Sequence, residues 1–187
     1  MKLFALREKS VKKALFLDRD GTINQDRPGV YITSEKALKI YPSAIKALKE
    51  ISASGEYRLI VLTNQSAVGR KLMTEKKSRQ INRLLVKKLS KSGIKISGLY
   101  YCPHSPETDC SCRKPKPGLI KEALRDFPTD ISASFVAGDK KSDMELAYRV
   151  GIKGIFVLTG QGKSQLKKYK IRYNFRIKDL RSLKKIL

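Results

Sequence analysis

Short apolar runs alternate along this chain with amphipathic helical stripes, and no other feature narrows the fold as much. Residues 14–18 are apolar on both faces, as a central parallel strand must be. Residues 57–63, 98–102, 134–138 and 155–158 read as four further strands. Between them, residues 42–54 carry Ala44, Ile45, Ala47, Leu48 and Ile51 on one stripe, with Pro42 in the first turn. Residues 74–92 line up Ile81, Leu84, Leu85 and Leu89, with Thr74 suited to cap the start and Gly93 following the end. Residues 117–127 and about 142–150 complete the helices. The segment 160–187 is basic and less regular, with a short edge strand expected at 174–177 and a closing helix at 179–187. This β-α alternation predicts one doubly wound, Rossmann-like, mostly parallel α/β sheet with helices on both faces. A length of 187 residues fits a single domain, 1–187, with no internal repeat. Ligands of such sheets sit at the carboxyl ends of the strands.

The polar motifs fall at those ends. Asp18-Arg-Asp20-Gly-Thr22 follows the first strand, and Gly138-Asp139-Lys140-Lys-Ser-Asp143 follows the fourth. Paired carboxylates suit an oxygen-bound cation such as Mg2+, or a nucleophile beside a general acid. Taken alone, each motif also describes a solvated acidic turn, and Asp143 suits a helix N-terminus. Thr63-Asn64-Gln65-Ser66 can hold phosphate oxygens, or be an ordinary polar turn. Arg113 and Lys114 offer a planar fork and a point charge for phosphate, on a loop stiffened by Pro115 and Pro117. Three cysteines and the one histidine fall within residues 102–112. Cys102, His104, Cys110 and Cys112 make a complete tetrahedral set for a structural Zn2+. Buried thiols, a redox pair or a disulfide are the competing readings. The odd cysteine count and the lone histidine favour zinc.

Composition removes other classes. With 41% hydrophobic and 31% charged residues the chain is not disordered. Its apolar runs, such as 14–17 and 59–62, are far shorter than the about 20 residues a membrane-crossing helix needs. Arg7, Glu8 and Lys9 interrupt the opening MKLFALREKS, which leaves no secretory leader and leads to the expectation of a cytoplasmic protein. The net charge is +24, from 41 basic and 17 acidic residues. Such a balance suits a nucleic-acid binder, an enzyme for anionic substrates, or a lysine-rich composition with no functional content. Tyr169, Tyr173 and Phe175 are too few for a base-stacking platform. The basic segment 163–187 matches no functional motif.

FLDRDGTIN, VLTNQS, CRKPKPG and GDKKSD, in that order, resemble the four motifs of the haloacid-dehalogenase phosphohydrolases. The CPH…CSCRKP clip narrows the resemblance to the small, zinc-containing branch without a large cap. That branch holds D-glycero-D-manno-heptose-1,7-bisphosphate 7-phosphatases and histidinol-phosphate phosphatases. LYYCPHSP, KPKPG, GDKKSDM and the late VLTG read closer to the heptose enzymes. The resemblance covers about residues 13–162 and implies roles. Asp18 would be the nucleophile that becomes an aspartyl-phosphate, and Asp20 the general acid and base. Asp18, the Asp20 carbonyl and Asp139 would hold Mg2+. Thr63 and Lys114 would stabilise the phosphoryl group. Asn64, Gln65, Ser66, Arg113 and Lys140 would contact substrate, with Asp26 and Gly29 of the loop QDRPGVYI. Cys102, His104, Cys110 and Cys112 would bind Zn2+ and hold the loop carrying Arg113 and Lys114. The implied activity is hydrolysis of a sugar phosphate by a monomer, foremost heptose 1,7-bisphosphate in lipopolysaccharide or surface-glycan precursor synthesis. Histidinol phosphate is the alternative substrate. A polynucleotide 3′-phosphatase is the alternative that the charge suggests, although nucleic acid is expected to bind only by non-specific attraction.

Overall fold

The computed structural model describes residues 1–6 and 10–187. Arg7, Glu8 and Lys9, on which the argument against a leader rested, lie outside the described residues.

Seven strands form one sheet: β1 (Lys2–Ala5), β2 (Lys13–Leu17), β3 (Tyr57–Asn64), β4 (Ile96–Cys102), β5 (Phe135–Gly138), β6 (Lys153–Val157) and β7 (Phe175–Ile177). Their order is β1-β4-β3-β2-β5-β6-β7. Every pairing is parallel except β1 with β4. The central strand β2 sits between β3 and β5 and is buried on both faces from Ala14 to Leu17. Alternate residues therefore feed two cores. Leu15, Leu17, Leu59 and Val61 pack under α1 (Pro42–Ser54) and α3 (Glu75–Lys91) through Leu48, Ile81, Leu85 and Leu89. Ala14, Phe16, Ile60 and Leu62 pack under α4 (Gly118–Asp126) and α5 (Lys141–Arg149) through Leu119, Ala123 and Leu146. Each fully buried aliphatic or aromatic side chain stabilises this arrangement by about 1.5–3 kcal/mol. Among the described residues no helix is long and apolar enough to cross a membrane.

Local chemistry sets the ends. Thr74 caps α3 by accepting from the Lys77 N–H at 3.1 Å, as its position before the stripe predicts. Residues 18–41 form turns and isolated bridges, not a separate cap. Three elements depart from expectation. β1 adds an antiparallel edge that the sequence does not announce, because four residues hold too little alternation. A short helix, α6 (Gly162–Lys168), forms in the segment read as irregular. Residues 179–187 make a 3-10 stretch, Leu180–Lys185, instead of an α-helix. Asp179 accepts from the Arg181 N–H at 2.9 Å, and six residues are too few to sustain α-helical bonding against the docking of Leu180 and Leu183 into the core.

Candidate active site

The carboxyl ends of β2, β3, β4 and β5 deliver their polar groups to one edge of the sheet. Asp18 leaves β2, and Asp139 leaves the neighbouring β5. Asp143 lies in the first turn of α5. Carboxylate oxygens of all three lie within 4.8 Å of one another, and all three residues are buried. Lys114 Nζ bridges two of them, 2.7 Å from Asp18 and 2.6 Å from Asp143, and donates to the Leu62 carbonyl. Lys140 Nζ stands 3.0 Å from Asp26, 3.1 Å from the Asp20 carbonyl oxygen and 3.7 Å from Asp139. Buried charges of this density are tolerable only when paired.

Acid still outnumbers base here, and the titration shifts say so. Burial pushes the Asp139 carboxyl well above its ordinary value; Lys140 opposes this, while Asp18 and Asp143 reinforce it. Burial works against charge on Lys114, but Asp143 and Asp18 outweigh it and raise its pKa. Asp139 Oδ1 is buried and accepts no hydrogen bond. This oxygen, Asp18 Oδ2 and the Asp20 carbonyl all face the Lys140 ammonium, at 3.7, 3.9 and 3.1 Å, and such a hard oxygen set around one cation is of the kind that fits Mg2+. The approach depends on Gly21, at φ 95°: a Cβ there would come within 2.1 Å of Asp139 Oδ2.

The turn at Gly21 also splits the functions of Asp20. Its carbonyl faces Lys140, while its carboxylate turns to the cleft. There it accepts a fork from Arg19 at 2.8 and 2.6 Å, the Asn24 amide at 2.9 Å and the Gln65 amide at 3.2 Å. Burial opposes the charged form, but Arg19, Asn24 and Lys140 hold the carboxyl below its ordinary value. Arg19 is itself buried, and its other Nη donates to Asn82 of α3 at 2.6 Å.

Thr63, next to last in β3, accepts from Gln65 at 2.9 Å. Asn64 and the Lys114 backbone exchange two hydrogen bonds of 3.1 Å, which fixes the lysine loop against β3. Arg113 donates to Ser66 at 2.6 Å. Asp26, Gly29, Asn64, Gln65, Ser66, Arg113 and Lys140 all line one cleft of about 270 Å³, together with Asp20 and Lys114.

Cys102, His104, Cys110 and Cys112 converge as well. Their nearest ligand atoms are separated by 3.3–3.6 Å, the edges of a small tetrahedron. All three cysteines are free thiols. Burial opposes it, yet hydrogen bonds from Cys112, the Arg113 backbone and Cys102 bring the Cys110 thiol down to about 6. The clip grips the site: Gly69 of α2 (Ser66–Gly69) donates to the Pro103 carbonyl at 2.7 Å, and Arg113 reaches the His104 carbonyl at 3.4 Å.

The site also holds residues beyond those expected, and four of them carry charge or an amide: Asp143, Arg19, Arg27 and Gln161. Asp143 does stabilise its helix start, accepting from the Lys140 N–H at 3.1 Å, but its other oxygen pairs with Lys114. The acid four places after Asp139 was the available signal. Arg19, Arg27 and Gln161 also line the cleft, and no spacing marks the last two.

Two family models match this chain. One described as polynucleotide kinase 3 phosphatase covers residues 13–145, and one described as HAD-hydrolase-like covers residues 111–183. The D-glycero-beta-D-manno-heptose-1,7-bisphosphate 7-phosphatase of Pasteurella multocida is 35% identical over 183 residues, 95% of this chain and 97% of that one. Its namesake in Helicobacter pylori J99 is 38% identical over 151 residues, 80% of this chain and 85% of the other. The solved D,D-heptose 1,7-bisphosphate phosphatase of B. bronchiseptica, complexed with magnesium and phosphate, matches with a TM-score of 0.86 at 26% identity, over 93% of this chain and 97% of that one. Fold and site thus define a phosphatase of the haloacid-dehalogenase class, a phosphoric monoester hydrolase. Within that class, the chain belongs to the D-glycero-D-manno-heptose-1,7-bisphosphate 7-phosphatase family.

Proposed function

We propose that this chain removes the 7-phosphate of D-glycero-D-manno-heptose 1,7-bisphosphate, for lipopolysaccharide or surface-glycan precursors, through an aspartyl-phosphate at Asp18. The convergence of Asp18, Asp139 and Lys114 beneath a cleft edged by Arg113 carries this reading. Mg2+, held by the Asp18 carboxylate, the Asp20 carbonyl and Asp139, supplies charge neutralisation for the phosphoryl group. Asp18 attacks phosphorus, and the sugar oxygen leaves with a proton from Asp20, which must take up that proton beforehand because burial is outweighed by Arg19, Asn24 and Lys140, which favour its charged form in the free site. Asp20 then takes a proton from water, which attacks the phosphorus and frees Asp18. Thr63 and Lys114 hold the equatorial oxygens through transfer. Asn64, Gln65, Ser66 and Arg113 orient the substrate, joined by Lys140, Asp26 and Gly29. Arg113 and Arg27 give the mouth positive charge that suits a second phosphate.

Cys102, His104, Cys110 and Cys112 would hold Zn2+ with four protein ligands, and the ion would serve structure by fixing the Arg113–Lys114 loop. Residues 1–187 act as one domain and as a monomer in the cytoplasm; the docking of β7 and Leu183 into the common sheet and core supports the first of these.

The deciding measurement is kcat/KM side by side on heptose 1,7-bisphosphate, histidinol phosphate and a 3′-phosphorylated oligonucleotide. The heptose ester is expected to lead. Preference for histidinol phosphate, whose cationic amine suits this mouth less, or for the nucleic-acid end would overturn the assignment.

A further inference from the structure

The loop between β6 and α6 begins in the VLTG of residues 157–160 and enters the site, although the resemblance attaches no role to its residues. Four contacts tie residues 159–161 to the machinery. Thr159 Oγ1 donates to the Gly21 carbonyl at 2.6 Å, gripping the turn that follows Asp18 and Asp20. The Gly160 N–H donates to the Tyr41 hydroxyl at 3.2 Å. The Gln161 N–H donates to Asp139 Oδ2 at 2.7 Å. The Gln161 side-chain amide donates to Asp26 Oδ2 at 2.8 Å, the same oxygen that Lys140 contacts. The packing leaves no slack: a Cβ at Gly160 would come within 2.3 Å of Gly21 Cα and 2.4 Å of Asp139 Oδ2. One turn further on, Gln165 accepts from the Lys141 N–H at 3.2 Å, so α6 also holds the start of α5.

We infer that residues 159–161 are a positioning brace: Thr159 and the Gln161 backbone set the separation between the Gly21 turn and Asp139, and the Gln161 side chain fixes Asp26 and Lys140 at the cleft. The arrangement explains why only one oxygen of Asp139 accepts a hydrogen bond. Oδ2 is held by the brace, and Oδ1, which faces only the Lys140 ammonium at 3.7 Å, is the oxygen that can turn to a metal cation. Groups that orient a metal-binding carboxylate govern affinity without touching the metal. The two halves of the brace act on different quantities. Thr159 acts on metal affinity, whereas the Gln161 amide acts on substrate binding. This inference rests on the reading that Asp139 is a metal ligand.

The test is Mn2+ binding without substrate, followed by electron paramagnetic resonance of the free ion, on folded wild type, Thr159→Val, Thr159→Ser and Gln161→Met. Thr159→Val keeps the shape and removes the donor; it should weaken Mn2+ binding by about tenfold, in the range expected of a lost supporting contact. Thr159→Ser restores the hydroxyl and should return affinity to within about twofold of wild type. Gln161→Met keeps the backbone N–H; Mn2+ affinity should hold while KM rises about fivefold at saturating Mg2+, the size of one lost hydrogen bond. Should Thr159→Val not fold, Thr159→Ala serves with the same expectation. A wild type that binds Mn2+ with Thr159→Val equal to it overturns the brace alone. A wild type that binds no Mn2+ overturns the metal-site reading and the brace together.

Discussion

Three buried carboxylates share two lysines around Asp18, and that imbalance separates chemistry from stability at this residue. Asp18→Asn keeps the shape, removes the proposed nucleophile and relieves like-charge crowding against Asp139 and Asp143. We expect kcat to fall by about 10³-fold or more, as for loss of other enzyme nucleophiles. The melting temperature should stay level or rise. Turnover within tenfold of wild type would remove Asp18 from its role. Asp18 and Asp139 were legible in the sequence because a strand-end rule locates them. Asp20 was legible as a residue but not in its orientation, since only the Gly21 turn sends its carbonyl and carboxylate opposite ways. Arg19 was in view as a motif letter, yet its bond to Asn82 spans 63 positions and leaves no periodic trace. Gln161 is hidden for the same reason: a backbone N–H makes its key contact, and every residue but proline has one.

At the scale of elements, the Cys/His clip and the β4–α3 junction give separate tests. Elemental analysis should find about one zinc per chain. Cys110→Ser with Cys112→Ser should lose it, lowering stability by about 3 kcal/mol or more, on the order of 10 °C in melting temperature for a chain this size. A wild type free of zinc and fully active would refute the clip. Tyr101, on β4, donates to Glu75 at the start of α3 at 2.7 Å. Burial and that carboxylate push the phenol up to about 12. Its contribution is therefore complete below pH 10 and drains away as pH climbs from about 10 to about 12. Tyr101→Phe should be about 1 kcal/mol less stable at pH 8, and the gap should close by pH 12, read by urea unfolding across that range. An equal gap at both ends would assign the loss to packing. Helices α1 and α3 were legible because 13 and 17 residues repeat an apolar stripe several times. The strand β1 and helix α6 were not, because tertiary contacts, not local periodicity, hold elements of four and seven residues.

For the whole molecule the governing quantity is +24. A long-range field of that sign raises encounter rates with anions and is screened over about 8–10 Å at ordinary salt. Between 20 and 300 mM salt, kcat/KM should fall several-fold for the bisphosphate and less for a sugar monophosphate. Equal slopes would confine the charge effect to the bound phosphate. The α/β class was readable from alternation alone. The strand order was not, since no local pattern says that β5 returns to the far side of β2. Both margins of the sheet are short: four residues in β1, and three in β7 with Arg176 at the middle. Stubby, cationic rims offer neighbouring copies little backbone to zip onto and repel them as they approach. Crowded solutions of this protein should therefore stay dispersed, with fibrous self-templating suppressed at both flanks.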